Sequence, residues 1–225
     1  MLLLCLDSSA VASAALVTGA GEVLGSFASP DTRSHAEVLA PAVRELLTGH
    51  GVAGGDLDAV LVGTGPGPFT GLRAGIATAR ALAFAWDVPL HGLMSLEALA
   101  QDAAEDARAA GHEEFLVLTD ARRKEVYWAR FVLAPDGPRL VAGPGVAAAE
   151  RLPGLPAYGR GAGIWADHLA RPVPAFAAAQ PTASSLGLAA ARRTVRGEAL
   201  PADTAPLYLR ESDAKVPGPR KKALA

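Results

Sequence analysis

Leu2-Leu3-Leu4-Cys5-Leu6-Asp7-Ser8-Ser9 opens the chain with a continuous apolar run that ends on a carboxylate. Phe115-Leu116-Val117-Leu118-Thr119-Asp120 repeats that arrangement near the start of the second half. An unbroken apolar run reads as a strand covered on both faces, because a half-exposed strand alternates. After Asp7, a short turn leads to a second strand over 11–18, a turn at Gly19-Ala20-Gly21-Glu22 and a third strand over 23–27. After Asp120, a polar turn leads to 126–133, where Tyr127, Ala129, Phe131 and Leu133 make one apolar face. Pro135-Asp136-Gly137-Pro138 then turns the chain into a third, short strand near Leu140. Strand, Asp, turn, long strand, turn, strand occurs twice, which predicts an internal duplication of two α/β lobes over 1–110 and 111–225.

The remaining elements fit between these openings. Residues 34–48 read as a helix with an apolar stripe of Val38, Leu39, Ala42, Val43, Leu46 and Leu47, kinked by Pro41. Val60-Leu61-Val62 is a buried strand, 70–86 a helix, 90–93 a strand and 95–110 a helix. Beyond residue 143 the density of Pro and Gly rises, and a helix over 182–196 and a short strand over 207–209 are expected. The tail from Glu211 is polar and broken by Pro and Gly, so it is expected to be flexible.

At 225 residues the chain is long enough to bury about 70% of its unfolded surface without disulfides or metal. Half of its residues are apolar and 20% charged, which excludes wholesale disorder. The net charge of -2 gives no global pull toward nucleic acid or anionic lipid. The single cysteine, Cys5, excludes an intrachain disulfide and a cysteine-rich zinc site, and fits a reducing cytoplasm. The apolar N-terminus is not read as a secretion signal, because no basic residue precedes Arg33 and Asp7 interrupts the run. Residues 74–86 come closest to a membrane span but carry Arg80. A soluble, cytoplasmic protein with no membrane partner is expected.

Asp7 and Asp120 fall at the carboxyl ends of first strands, where crevices form in open α/β sheets. Facing each other across a cleft, they would hold hydrated Mg2+ beside nucleotide phosphates. Alternatively, each caps its own turn by accepting a backbone N–H. The second reading is favoured, since Asp7-Ser8-Ser9-Ala10-Val11 and 120–126 lack the glycines that let backbone donors approach a phosphate. The loop Gly63-Thr64-Gly65-Pro66-Gly67-Pro68-Phe69-Thr70-Gly71-Leu72-Arg73 is neither a Walker A sequence nor a dinucleotide fingerprint. Thr70 is placed to cap the helix behind it, whose N-terminus could attract an anion, but a rigid connection stiffened by Pro66 and Pro68 is the favoured reading. Histidines 35, 50, 91, 112 and 168 show no HExxH and no i, i+4 pair, and no G-x-S-x-G elbow is present. No catalytic residue and no metal ligand set is assigned.

The helix over 70–86 carries one charge between Ala74 and Trp86, Arg80, and a ridge of small residues at Gly75, Ala79 and Ala83. A helix lying on a sheet needs one apolar face, and this one is apolar nearly all round. Its second face must meet a neighbouring helix or another chain. The expected partner surface comprises Val38, Leu39, Ala42 and Leu46 of the first helix with Leu72, Gly75, Ile76, Ala79 and Ala83 of the second. The tail 211–225 holds four basic and two acidic residues, with Arg220-Lys221-Lys222 together, a weak contact for RNA phosphates or a solvated end.

Five segments occur in an order that resembles one family: 2–9, Ser34-His35-Ala36-Glu37-Val38-Leu39-Ala40-Pro41-Ala42-Val43, 65–73, 120–129 and Pro206-Leu207-Tyr208-Leu209-Arg210. Together they look like the TsaB (YeaZ) family, the small bacterial paralogues of the TsaD/Gcp proteins. The resemblance spans essentially the whole chain and departs from the familiar pattern at Pro68, where Ser is expected, and at Lys124, where a smaller residue is common. It implies an actin-like ATPase (ASKHA) fold with two ribonuclease-H-like lobes. It also implies a part in making N6-threonylcarbamoyladenosine beside the tRNA anticodon. TsaD carries a metal-binding His-x-x-x-His pair, and nothing here matches it. The implied role is therefore a non-catalytic subunit that binds a TsaD-type paralogue, works with a TsaE-type ATPase, and forms a homodimer in the paralogue's absence. It would meet tRNA only through the complex and bind no cofactor alone, with ATP and Mg2+ used by the complex. The alternative is an independent actin-fold phosphotransferase or a glycoprotease-like peptidase, which complete phosphate loops or a seated nucleophile would favour.

Overall fold

Two five-stranded sheets of the same topology build the protein, whose computed structural model describes residues 1–29 and 35–210. In the first, β1 (Leu2–Asp7), β2 (Ser13–Thr18) and β3 (Val23–Ala28) form an antiparallel meander. After α1 (His35–Gly49), β4 (Ala59–Gly63) lies parallel to β1. After α2 (Phe69–Trp86), β5 (Leu90–Leu93) lies parallel to β4, giving the order β3-β2-β1-β4-β5. The helix α3 (Ser95–Ala109) leads into the second sheet. There β6 (Glu114–Asp120), β7 (Val126–Ala134) and β8 (Gly137–Ala147) repeat the meander. The short β9 (Pro156–Tyr158) lies parallel to β6, α4 (Arg160–Ile164) follows, β10 (Arg171–Pro172) lies parallel to β9, and α5 (Ala183–Val195) closes the chain's regular structure. The second order, β10-β9-β6-β7-β8, is the first one read backwards, so the duplication read from the two openings is present. This is the two-lobed actin-like arrangement of ribonuclease-H-like units.

The continuous apolar runs follow from burial on both faces. Leu4 and Leu6 of β1 pack with Leu39, Val43, Ile76 and Ala79, while Leu3 and Cys5 pack with Leu186 and Ala190 of α5. In β6, Phe115 and Val117 meet Leu99 and Ala103 of α3, while Leu116 and Leu118 meet Ala162 of α4. The two halves are interlocked, because α3 comes from the first half and seats on the second sheet, whereas α5 comes from the second half and seats on the first. Between them, Arg193 donates three bonds to Glu97 (3.0, 3.0 and 2.9 Å), and the Ser185 hydroxyl donates to Asp102 at 2.5 Å.

Three expectations change. The stripe assigned to a partner is this chain's own core: Leu39, Ala42, Leu46, Leu72, Gly75, Ile76, Ala79 and Ala83 are buried against the first sheet and each other, and Val38 is half-buried beside them. Gly75 is required there, since a Cβ would lie 2.1 Å from Ser8 Oγ. The strand near Leu140 is long rather than short: β8 is an edge strand, where Pro138 and Pro144 leave no ladder bond unmade in the middle of a sheet. Residues 207–209 form no strand; one bond, Leu207 N to Thr64 O at 2.8 Å, ties that segment to the end of β4. The basic run 220–222 and Ser34 lie outside the described residues. Among the described residues, no helix is long and apolar enough to cross a membrane.

Two measurements check this packing. A Cβ on Gly187 of α5 would meet Val17 Cγ2 at 2.5 Å and Cys5 Sγ at 2.9 Å. Gly187→Ala should therefore lose about 1–2 kcal/mol in urea melts, even though alanine suits a helix better by about 1 kcal/mol. Burial raises the Asp102 carboxyl above its ordinary value, opposed by the Ser185 hydroxyl. The folded state then holds that proton more tightly than the unfolded chain, so stability falls as pH rises from the ordinary carboxylate range through the raised value. Asp102→Asn should reduce that fall in melts run across pH, with Glu97, also raised by burial, supplying the remainder.

Candidate functional site

Both first strands end at the mouth of the groove between the lobes, but their carboxylates face different ways. Asp7 is 0% exposed. Its Oδ1 accepts the Ser9 backbone N–H at 2.8 Å and the Ser9 hydroxyl at 2.7 Å, and its Oδ2 accepts the Ser95 hydroxyl at 2.6 Å. Ser95 begins α3, and its Oγ in turn accepts the Gly65 N–H at 3.0 Å. Gly63 belongs to the same knot, as a Cβ there would lie 1.8 Å from Asp7 Oδ2. Beside it the Ser8 hydroxyl donates to the Gly71 carbonyl at 2.8 Å. The Asp7 carboxylate thus joins β1, the loop before α2 and the first residue of α3.

Asp120 opens on the groove. Its Oδ1 accepts the Arg122 N–H at 2.9 Å, and the Arg122 guanidinium stands 3.4 Å from Oδ2. Both aspartates therefore accept a backbone N–H two residues on. Arg122, Arg123 and Lys124 follow at φ of 62, 51 and 62°, three consecutive non-glycine residues in the left-handed region. Each costs about 1–2 kcal/mol relative to ordinary backbone. The turn is closed by Ala121 N to Glu125 O and Glu125 N to Arg122 O, and Glu125 pairs with Arg210.

Hydrated Mg2+ with nucleotide phosphates does not fit these residues. Of the two carboxylates only Asp120 reaches the groove, already beside a guanidinium, while both Asp7 oxygens are engaged below it. Mg2+ needs carboxylate oxygens facing its water shell. Thr70 is also displaced from its expected role: α2 starts at Phe69, so Pro68 occupies the capping position and no side chain caps the helix. Phe69 stacks on Tyr208 with ring centroids 4.5 Å apart, and the Arg73 guanidinium lies 3.6 Å over the Phe69 ring while donating to the Tyr208 hydroxyl.

The described histidine side chains do not converge, and His91 is half-buried on β5. His50 bonds the carbonyls of Leu46 and Leu24, His112 bonds Tyr158, and His168 lies near Glu150. Among the described residues, no group of three His, Cys, Asp or Glu is placed to hold a metal ion.

The outer face of α2 carries a feature the sequence reading missed. Ala77, Ala81 and Ala85 are exposed there, and Phe84 is 90% exposed. Arg80 is exposed on the same helix, with its guanidinium bonded to the Thr204 carbonyl and hydroxyl at 3.1 and 2.9 Å. Phe84 lies off the 72/75/76/79/83 stripe, and that offset was the available signal.

Comparison with known proteins gives one consistent set of relatives. The family model described as TsaD, tRNA N6-adenosine threonylcarbamoyltransferase, matches residues 22–195. An uncharacterized protein of Mycobacterium tuberculosis is 45% identical over 194 residues, 86% of this chain and 83% of that protein. The tRNA threonylcarbamoyladenosine biosynthesis protein TsaB of Escherichia coli is 34% identical over 137 residues, 61% of this chain and 58% of its own length. The structure of YeaZ from Pseudomonas aeruginosa superposes with a TM-score of 0.77 at 34% identity, covering 92% of this chain and 99% of that one.

The aspartates should separate cleanly on mutation. Asp7→Ala leaves buried hydroxyl and amide donors unpaired and should cost about 3 kcal/mol in denaturant melts. Asp120→Ala, at a surface turn, should cost about 1 kcal/mol or less. Equal losses would show that Asp7 is not a structural node.

Proposed function

The chain belongs to the TsaB (YeaZ) family, and from that premise we propose that it is a non-catalytic docking subunit in tRNA threonylcarbamoyladenosine biosynthesis. Its partner is a TsaD-type catalytic paralogue, a TsaE-type ATPase joins them, and a second copy of the chain takes the paralogue's place when it is absent. ATP and Mg2+ are used by the assembled complex, tRNA is met through the complex, and the setting is the cytoplasm.

One observation carries this reading: the apolar outer face of α2, with Phe84 90% exposed at its centre. A phenylalanine so exposed between Ala81 and Ala85 is unfavourable in water and suits a helix–helix contact, since small residues let backbones approach closely. α1 packs beside α2, with Ala40 and Pro41 exposed among the charged Glu37, Arg44 and Glu45. A paralogue with a similar helix pair can seat on such a face, as can a second copy in an isologous dimer. An independent kinase or peptidase reading has no such support, because the Asp7 carboxylate is turned into the protein and engaged there.

Phe84→Asp should leave the melting temperature near the parent's while weakening co-elution with the TsaD-type partner at least a hundredfold. Transfer of the threonylcarbamoyl group to tRNA by the reconstituted proteins should fall with it. Ala79→Glu should instead unfold the chain, since Ala79 is 0% exposed in its own core. Undiminished co-elution of folded Phe84→Asp would place the partner elsewhere.

A further inference from the structure

The groove between the lobes contains a cavity of about 400 Å³ that the docking reading does not use. Asp120, Arg122, Arg160 and Gln180 line it, with Ser9 and Pro68 on the side of the first lobe. Thr119 also lines it; the residue is 8% exposed, and its Oγ1 is buried with no hydrogen-bond partner within the chain. A buried hydroxyl left unpaired in a native structure calls for a partner that the chain itself does not supply. Its neighbours Arg122, Arg123 and Lys124 hold strained left-handed backbone at the same edge.

The charges around the cavity define what would fit. Arg160 has no acidic partner among the described residues, and Arg122 shares only the single Asp120 carboxylate, so positive charge is in excess. Two guanidinium groups suit an anion that offers several oxygens, a phosphate better than a single carboxylate. Asp120 and Thr119 Oγ1 suit hydroxyl groups, the carboxylate as acceptor and the threonine as either partner. We propose that this cavity binds a small phosphomonoester bearing free hydroxyls, a sugar phosphate in chemical class, with phosphate on Arg122 and Arg160 and hydroxyls on Asp120 and Thr119. No metal is needed, since the guanidinium groups supply the countercharge. This site shares no residue with the outer face of α2, so either proposal can fail without the other.

Titration calorimetry on the full chain, with ribose 5-phosphate and inorganic phosphate as probes, tests it. Ribose 5-phosphate should bind saturably and more tightly than inorganic phosphate. Arg160→Ala, at an exposed position, should weaken both probes tenfold or more. Thr119→Val keeps the shape and removes only the hydroxyl, so it should weaken ribose 5-phosphate several-fold and leave inorganic phosphate unchanged. The unliganded Thr119→Val protein should melt no lower than the parent, because its lost hydroxyl bonds nothing within the chain. Absence of saturable ribose 5-phosphate binding to the parent, or parent-like binding by both variants, would overturn the proposal.

Discussion

A buried carboxylate is tolerable only when every oxygen is matched by donors, and Asp7 meets that demand with groups from separate parts of the chain. Its bond to Ser95 fixes where α3 begins, and α3 is the helix that crosses to the second sheet. The Gly65 amide that caps Ser95 holds the loop leading to α2. The loop leading to α2 and the start of α3 are both held by this one polar knot. It also explains why an aspartate at a strand end need not be a ligand. The fold turned the residue inward and made it a fastener.

The consequence is a division of labour between two surfaces. The groove keeps Asp120 and its arginines but lacks a second carboxylate facing them, so it is not suited to a metal-bound triphosphate. On α2 the exposed Arg80 bonds Thr204 and the exposed Arg73 bonds Tyr208, so both cations are held in place beside the apolar residues. The segment 203–210 therefore acts as a strap that fixes both side chains next to the exposed Ala77, Ala81 and Phe84. Its one backbone tie to Thr64 places it beside the same loop that Asp7 organises.

Much of this was legible in the residues. The two openings, each an apolar strand ended by Asp, revealed the duplication because both-face burial removes alternation. The direction of the α2 stripe was not legible: a helix apolar nearly all round has two candidate faces, and periodicity does not say which one lies on the sheet. The sheet took the face with Gly75 and Ala79, since only small residues permit the approach to Ser8, and Phe84 was left outside. The exchange of α3 and α5 between sheets was also invisible, because both helices are apolar on the side they bury whichever sheet receives it. Residues 207–209 read as a strand from Leu-Tyr-Leu, yet ring stacking, the Arg73 bond to the Tyr208 hydroxyl and one backbone tie hold them, and none leaves a periodic trace. Thr119 gave no signal at all, since an unpaired hydroxyl is a property of three-dimensional surroundings.

Hydroxyl-radical footprinting of the assembled complex tests the central claim most directly, because it reports on side chains in the unmodified protein. With the TsaD-type partner bound, oxidation of Phe84 should fall severalfold, while that of exposed Val195 on the far helix should stay as in the free chain. Phe84 oxidised at the same rate in the complex as alone would contradict the account.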